Sequence, residues 1–165
     1  MNIILFGPPG AGKGTQAKYL VKKLNNIQIS TGDMLRDEIK KESEIGKRII
    51  SYMNDGKFVD DEIVNRIIKK IIFDPQKKDK LIFDGYPRTL EQAKNLDSLL
   101  MESKQQVDFI FFLNVSKETI IKRIEKRKVE EKRADDDLGT ILKRYDTYLK
   151  TTSPVLDSVS YTHLR

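Results

Sequence analysis

The run Gly7-Pro8-Pro9-Gly10-Ala11-Gly12-Lys13-Gly14-Thr15 has the residue types and spacing that hold phosphate. Its glycines let backbone N–H groups turn inward around phosphate oxygens, and Lys13 adds a mobile positive charge beside them. A helix predicted to start near Lys13 contributes its positive dipole end. The run lies between a short apolar stretch, Ile3 to Phe6, and that helix, the strand–loop–helix context a phosphate loop requires. Gly14 stands where a hydroxyl residue usually follows the lysine, and Thr15 comes one place later. A direct hydroxyl contact to Mg²⁺ from Thr15 is weakened accordingly.

A carboxylate and a set of arginines extend the chemistry. Leu81-Ile82-Phe83-Asp84 places an acid at the carboxyl end of a predicted strand, the side on which open α/β sheets bind ligands. Asp84 can orient Mg²⁺ or its waters. Arg36, Arg88, Arg123, Arg127, Arg133 and Arg144 stand near motif positions. The guanidinium keeps its charge and grips phosphate oxygens in a fork. Arg123 and Arg127 are four apart and share one helix face, which by itself fits a solvated face better than a clamp. Phosphoryl transfer to a monophosphate needs charge neutralisation and water exclusion rather than a general base, because the acceptor is already ionised.

The elements that must position these residues are legible as alternating patterns. Apolar runs at Ile3 to Phe6, Leu81 to Phe83 and Phe109 to Leu113 read as strands buried on both faces of a parallel sheet, with Ile27 to Ile29 as a weaker strand. Helical patterns cover Lys13 to Leu24, Met34 to Lys41, Ser43 to Asn54, Asp61 to Phe73, Thr89 to Glu102 and Lys117 to Arg127. The fold class is therefore α/β, a parallel sheet flanked by helices. Three helical segments with no strand between Asp33 and Phe73 predict a helical flap, taken as residues 30–73. The charged stretch 127–138 predicts an exposed, mobile loop.

With 165 residues the chain suits one domain, read as 1–157 with an atypical tail at 158–165. A net charge of +6 suits an anionic partner, although most lysines fit solvated helix faces. Aromatic residues are few and no RNA-recognition signature occurs, which argues against a nucleic-acid partner. Cysteine is absent, excluding disulfides, thiolate metal sites and a cysteine nucleophile. Nothing resembles a leader or a membrane span, so a cytoplasmic chain, monomeric and without a membrane partner, is expected.

Taken together the motifs resemble the adenylate kinases. The resemblance rests on Gly7 to Thr15, Ser30-Thr31-Gly32-Asp33-Met34-Leu35-Arg36, Phe83 to Thr89 with Gln92, Arg123 with Arg127, and Arg133-Ala134-Asp135-Asp136 followed by Arg144 and Thr152-Ser153-Pro154. It covers residues 1 to about 157 and implies Mg²⁺-dependent transfer of the terminal phosphoryl group of ATP to AMP. Gly10, Ala11, Gly12, Lys13, Gly14 and Thr15 are implied to hold the ATP phosphates, with Arg123 near the adenine and Arg127 near the phosphates. Thr31, Arg36, Gly85, Arg88 and Gln92 are implied to bind AMP, Arg88 at its phosphate and Gln92 at its base. Arg133 and Arg144 are implied to reach the transferring group, and Asp84 to hold water around Mg²⁺. The catalytic set is thus Lys13, Arg88, Arg127, Arg133 and Arg144. Thr31 favours AMP, since relatives acting on pyrimidine monophosphates usually carry alanine there.

Two departures qualify the resemblance. Only Lys128 to Lys132 separate Arg127 from Arg133, a short lid without cysteine or histidine and hence without zinc. The segment Ser158 to Arg165 does not look like the family's continuation into a further strand and helix, and reads as truncation or a foreign tail, with His163 part of it. The alternatives are a UMP/CMP kinase and a catalytically weak nucleotide-binding fragment. In the free protein, like charges are expected to hold the arginines apart.

Overall fold

The structure, a computed structural model, describes residues 1–131 and 137–156. Strands β1 (Ile3–Phe6), β2 (Ile27–Ser30), β3 (Leu81–Asp84) and β4 (Phe109–Phe112) form one parallel sheet in the order β2-β3-β1-β4. Ser30 pairs with Asp84, and Leu5 lies opposite both Asp84 and Phe111. This register brings the carboxyl ends of the three strands that precede Gly7, Thr31 and Gly85 to one edge of the sheet.

Every residue of β1 and β3 is buried, as their unbroken apolar runs require. Side chains such as Phe83 each stabilise the fold by roughly 1.5–3 kcal/mol through removal from water. β4 differs from its expected burial on two faces. It is an edge strand, and Phe109, Phe111 and Phe112 are 51%, 45% and 49% exposed. A run of apolar residues cannot distinguish a central strand from an edge strand.

The helices are α1 (Lys13–Leu24), α2 (Thr31–Lys40), α3 (Glu44–Asn54), α4 (Asp61–Ile72), α5 (Leu90–Glu102), α6 (Lys117–Glu131) and α7 (Leu138–Thr147), followed by a wider turn at Tyr148–Thr152. Ser30, Ser43, Asp60, Thr89 and Asp137 cap α2, α3, α4, α5 and α7 with side-chain oxygens. α1 has no side-chain cap and begins instead from Gly12, at φ 98°. A side chain is disfavoured at that φ, and no side-chain oxygen caps the first N–H groups of α1.

Two boundaries differ from the sequence expectation. α6 continues as helix to Glu131, because Lys128 to Glu131 contains neither glycine nor proline and is rich in helix formers, so the charged stretch is not a loop from residue 127. Within 30–73, α2 packs on α3, whereas α4 packs on α5; Leu35, Ile49 and Met53 share one buried cluster with Val64, Ile68, Ile71 and Ile72. The tail at 158–165, including His163, lies outside the described residues.

Candidate active site

The phosphate loop leaves β1 and closes a turn through the Ala11 N–H, which donates to the Pro8 carbonyl at 3.1 Å. The Lys13 ammonium folds back onto this loop, donating to the carbonyls of Gly7 at 2.7 Å and Pro8 at 3.0 Å. Burial pushes the Lys13 pKa down to about 8, with Asp84 opposing that shift and Arg88 and Arg127 adding to it. An anionic ligand would relieve both the desolvation and the repulsion. Arg123 supports the same loop, donating from a guanidinium nitrogen to the Ala11 carbonyl at 2.9 Å.

Asp84 ends β3 in a nearly buried position, and its Oδ2 accepts from Gln28 Nε2 at 2.9 Å. A Cβ placed on Gly14 would stand 3.4 Å from that same oxygen. Gly14 therefore lies beside the carboxylate at about ordinary contact distance. Downstream, Arg88 Nε donates to the Gly85 carbonyl at 2.7 Å, and its guanidinium lies 5.4 Å from the centre of the Phe58 ring. Burial, then repulsion from Arg144 and Arg36 set against attraction to Asp84, pushes the Arg88 pKa down to about 10, leaving it charged at neutral pH.

A cleft of about 600 Å³ joins these parts. The loop from Gly10 to Thr15 forms one wall with Arg123 and Arg127. Arg36, Gly85, Arg88 and Arg144 form another, with Asp84 between. Five arginines, Arg36, Arg88, Arg123, Arg127 and Arg144, thus line one cleft. Arg36 pairs with Asp33, and Arg144 donates to the Met53 carbonyl at 3.1 Å, so local acceptors offset part of the repulsion. Arg133 lies outside the described residues.

Thr31 and Gln92 sit behind the cleft wall. The Thr31 hydroxyl donates to the Gly85 carbonyl at 2.9 Å, and Gln92 is 2% exposed with its amide bound to Asp61 and to the Arg88 backbone. Sequence reasoning did not single out Gln28, Lys57 or Phe58, all of which line the cleft. Gln28 is betrayed only by sheet register, and Phe58 only by its place under Arg88.

The donor set fits magnesium held mainly by substrate oxygens. Among the described residues no group of three or more His, Cys, Asp or Glu side chains could cage a metal. Asp84 instead supplies one carboxylate beside the phosphate loop, which suits a hard cation that keeps several waters.

The family model described as adenylate kinase matches residues 5–163. The chain is 45% identical to the adenylate kinase of Pelagibacter ubique over 186 residues, covering 97% of this chain and 87% of that protein. It is 42% identical to the adenylate kinase of Mycoplasma capricolum over 184 residues, covering 95% and 85%. It is 44% identical to that of Maricaulis maris over 156 residues, covering 94% and 83%. The first two alignments are longer than this whole chain, so those relatives carry insertions that it lacks.

Proposed function

Because the chain belongs to the adenylate kinase family, we propose that its cleft performs the family's reaction with Lys13, Arg88, Arg127 and Arg144 as the charge-neutralising set and with AMP as acceptor. The enzyme transfers the terminal phosphoryl group of ATP reversibly to AMP, giving two ADP. One observation carries the assignment of residues: Lys13 on the phosphate loop and Arg88 after β3 face one cleft, each within electrostatic reach of Asp84.

ATP lies with its phosphates on the uncapped start of α1, where Gly10 to Thr15 present backbone N–H groups and Lys13 leaves the Gly7 and Pro8 carbonyls for phosphate oxygens. Arg123 and Arg127 border that end of the cleft. Arg88 holds the acceptor phosphate with Arg36, and one of its oxygens attacks the terminal phosphorus as the bond to the ADP oxygen breaks. No base is needed, and the arginines offset charge as it spreads over the transferring group. Asp84, with Thr15 as a more distant candidate, would hold the water shell of Mg²⁺, the ion this family uses with ATP. Magnesium held there would act as a Lewis acid and lower the charge on the phosphate oxygens. Arg133 joins this set on the strength of the resemblance alone. No helix among the described residues is long and apolar enough to cross a membrane.

Coupled turnover with ATP and each of AMP, UMP and CMP tests the reading. AMP should be used fastest. Equal rates with all three would remove the preference for AMP, and no ATP-dependent turnover with any would remove the site assignment.

A further inference from the structure

A polar cluster that the phosphate chemistry leaves unused lies between the first turns of α4 and α5. Gln92 donates from Nε2 to Asp61 Oδ1 at 2.6 Å and accepts the Arg88 backbone N–H on Oε1 at 2.7 Å. The other oxygen of Asp61 accepts from the Thr89 hydroxyl at 2.9 Å, and Thr89 Oγ1 in turn accepts the Gln92 N–H at 3.1 Å. Tyr86 adjoins the cluster, its hydroxyl 3.0 Å from Asn65 Oδ1 and accepting from Asn95 Nδ2 at 3.2 Å. Burial pushes the Tyr86 pKa up to about 12, so the group is a neutral hydrogen-bonding partner throughout the working range.

The chemistry of a primary amide gives this cluster direction. One end of Gln92 only accepts and the other only donates. An ionised carboxylate only accepts, so Asp61 must face Nε2, and Oε1 must then face the Arg88 N–H. In the flipped amide two donors would confront each other across 2.7 Å at Arg88, and oxygen would confront oxygen at Asp61. Arg88 is otherwise fixed through its carbonyl, which accepts from the Thr152 hydroxyl at 2.9 Å, and through Nε to Gly85.

We propose that Asp61 is a positioning residue for the acceptor arginine: its carboxylate orients Gln92, and Gln92 holds the Arg88 backbone so that the guanidinium keeps its place between Gly85 and Phe58. The inference rests on the reading that Arg88 binds the acceptor phosphate. It also gives the buried Gln92 amide a function that its place behind the cleft wall permits. A purely structural role would join α4 to α5 and nothing more, and the two roles differ in what they change.

The test compares Asp61→Ala, Asp61→Asn, Arg88→Ala and the double variant Asp61→Ala/Arg88→Ala by KM for AMP, KM for ATP and kcat. Asp61→Ala should raise KM for AMP about tenfold, as expected for losing a charge-assisted hydrogen bond that orders the site, with KM for ATP nearly unchanged. Asparagine should largely rescue it, because its Oδ1 still accepts from Gln92 and its Nδ2 can donate to Thr89 Oγ1. In the Arg88→Ala background, adding Asp61→Ala should change KM for AMP by less than about twofold, the signature of two residues acting through one interaction. Amide exchange adds a direct reading: the Arg88 N–H should lose protection in Asp61→Ala while Phe83 in β3 keeps its own. Asp61→Ser gives the same split should alanine prove too destabilising. Equal rises in both KM values, a full Asp61 effect persisting without Arg88, or unchanged Arg88 exchange would each overturn the proposal. If Arg88→Ala itself leaves KM for AMP unchanged, the underlying reading of Arg88 falls as well.

Discussion

Arg144 on α7 donates to the carbonyl oxygen of Met53 in the last turn of α3 at 3.1 Å. Beside it the Thr140 hydroxyl donates to the Asn54 carbonyl at 3.2 Å. The arginine proposed to meet the transferring phosphoryl group therefore also ties the flap to the helix that carries it. Closure over two nucleotides should act on α2 and α3, whereas α4 is fixed to α5 by buried apolar residues. A mimic linking two nucleosides through phosphates should slow hydrogen exchange across Thr31–Asn54 much more than across Asp61–Ile72. Equal protection in both would place α4 in the moving unit. Arg144→Ala should speed exchange in the last turn of α3 and lower kcat at least about 100-fold, the range found when a charge-stabilising donor is removed.

Lys13 links pH to both activity and stability. Its folded pKa of about 8 lies below the ordinary 10.5 because the charged form is desolvated. Since kcat/KM reports groups of the free enzyme, kcat/KM for ATP should fall as pH rises through about 8. For stability the sign reverses. Between about 8 and 10.5 the unfolded chain binds a proton that the folded chain has lost, so this group makes the fold more stable as pH rises through that window. Lys13→Met, which keeps length and removes charge, should abolish detectable turnover yet raise Tm at pH 7 by roughly 2–4 °C, corresponding to about 1 kcal/mol. Wild-type turnover in that variant would remove Lys13 from the chemistry.

Thr31 is the basis for preferring AMP, and its hydroxyl is engaged by the Gly85 carbonyl rather than open to the cleft. Any selectivity it confers must pass through the Gly85 turn, which also receives Arg88 Nε. Thr31→Ala should narrow the AMP preference over UMP and CMP and cost about 1 kcal/mol for the lost buried hydrogen bond. An unchanged preference with that loss of stability would confine Thr31 to a structural role.

The sequence made the loop and the strand ends legible because glycine spacing and unbroken apolar runs are local properties. The start of α1 at Lys13, the loop that follows β1 and the place of Asp84 at the end of β3 follow from such signals. What escaped reading depends on partners distant in the chain. The exposure of Phe111 depends on β4 being an edge, and the split of the flap at Asp61 depends on α5, whose Thr89 and Gln92 supply the polar contacts. The role expected of Gln92 came from motif position, while its buried amide geometry could come only from three dimensions.

Gly46 offers a test of how the flap itself is held. A Cβ at this position in α3 would stand 2.2 Å from the Glu38 carbonyl oxygen and 2.9 Å from the Ile39 Cα, both backbone atoms of α2 that cannot rotate aside. Glycine is thus required by close approach, and Gly46→Ala must separate α2 from α3 at a cost of roughly 1–3 kcal/mol. Arg36 rides on α2, and Lys57 and Phe58 follow α3, so the separation reaches the acceptor side of the cleft and leaves the phosphate loop alone. The expected result is a raised KM for AMP, an unchanged KM for ATP and faster hydrogen exchange confined to Thr31–Asn54. Lys47→Ala, at the exposed neighbouring position, should leave all three unchanged and shift stability by no more than about 0.5 kcal/mol. If Gly46→Ala loses stability but keeps its KM for AMP, the packing of α2 on α3 does not place Arg36, and the acceptor site must be set from β3 and α5 alone.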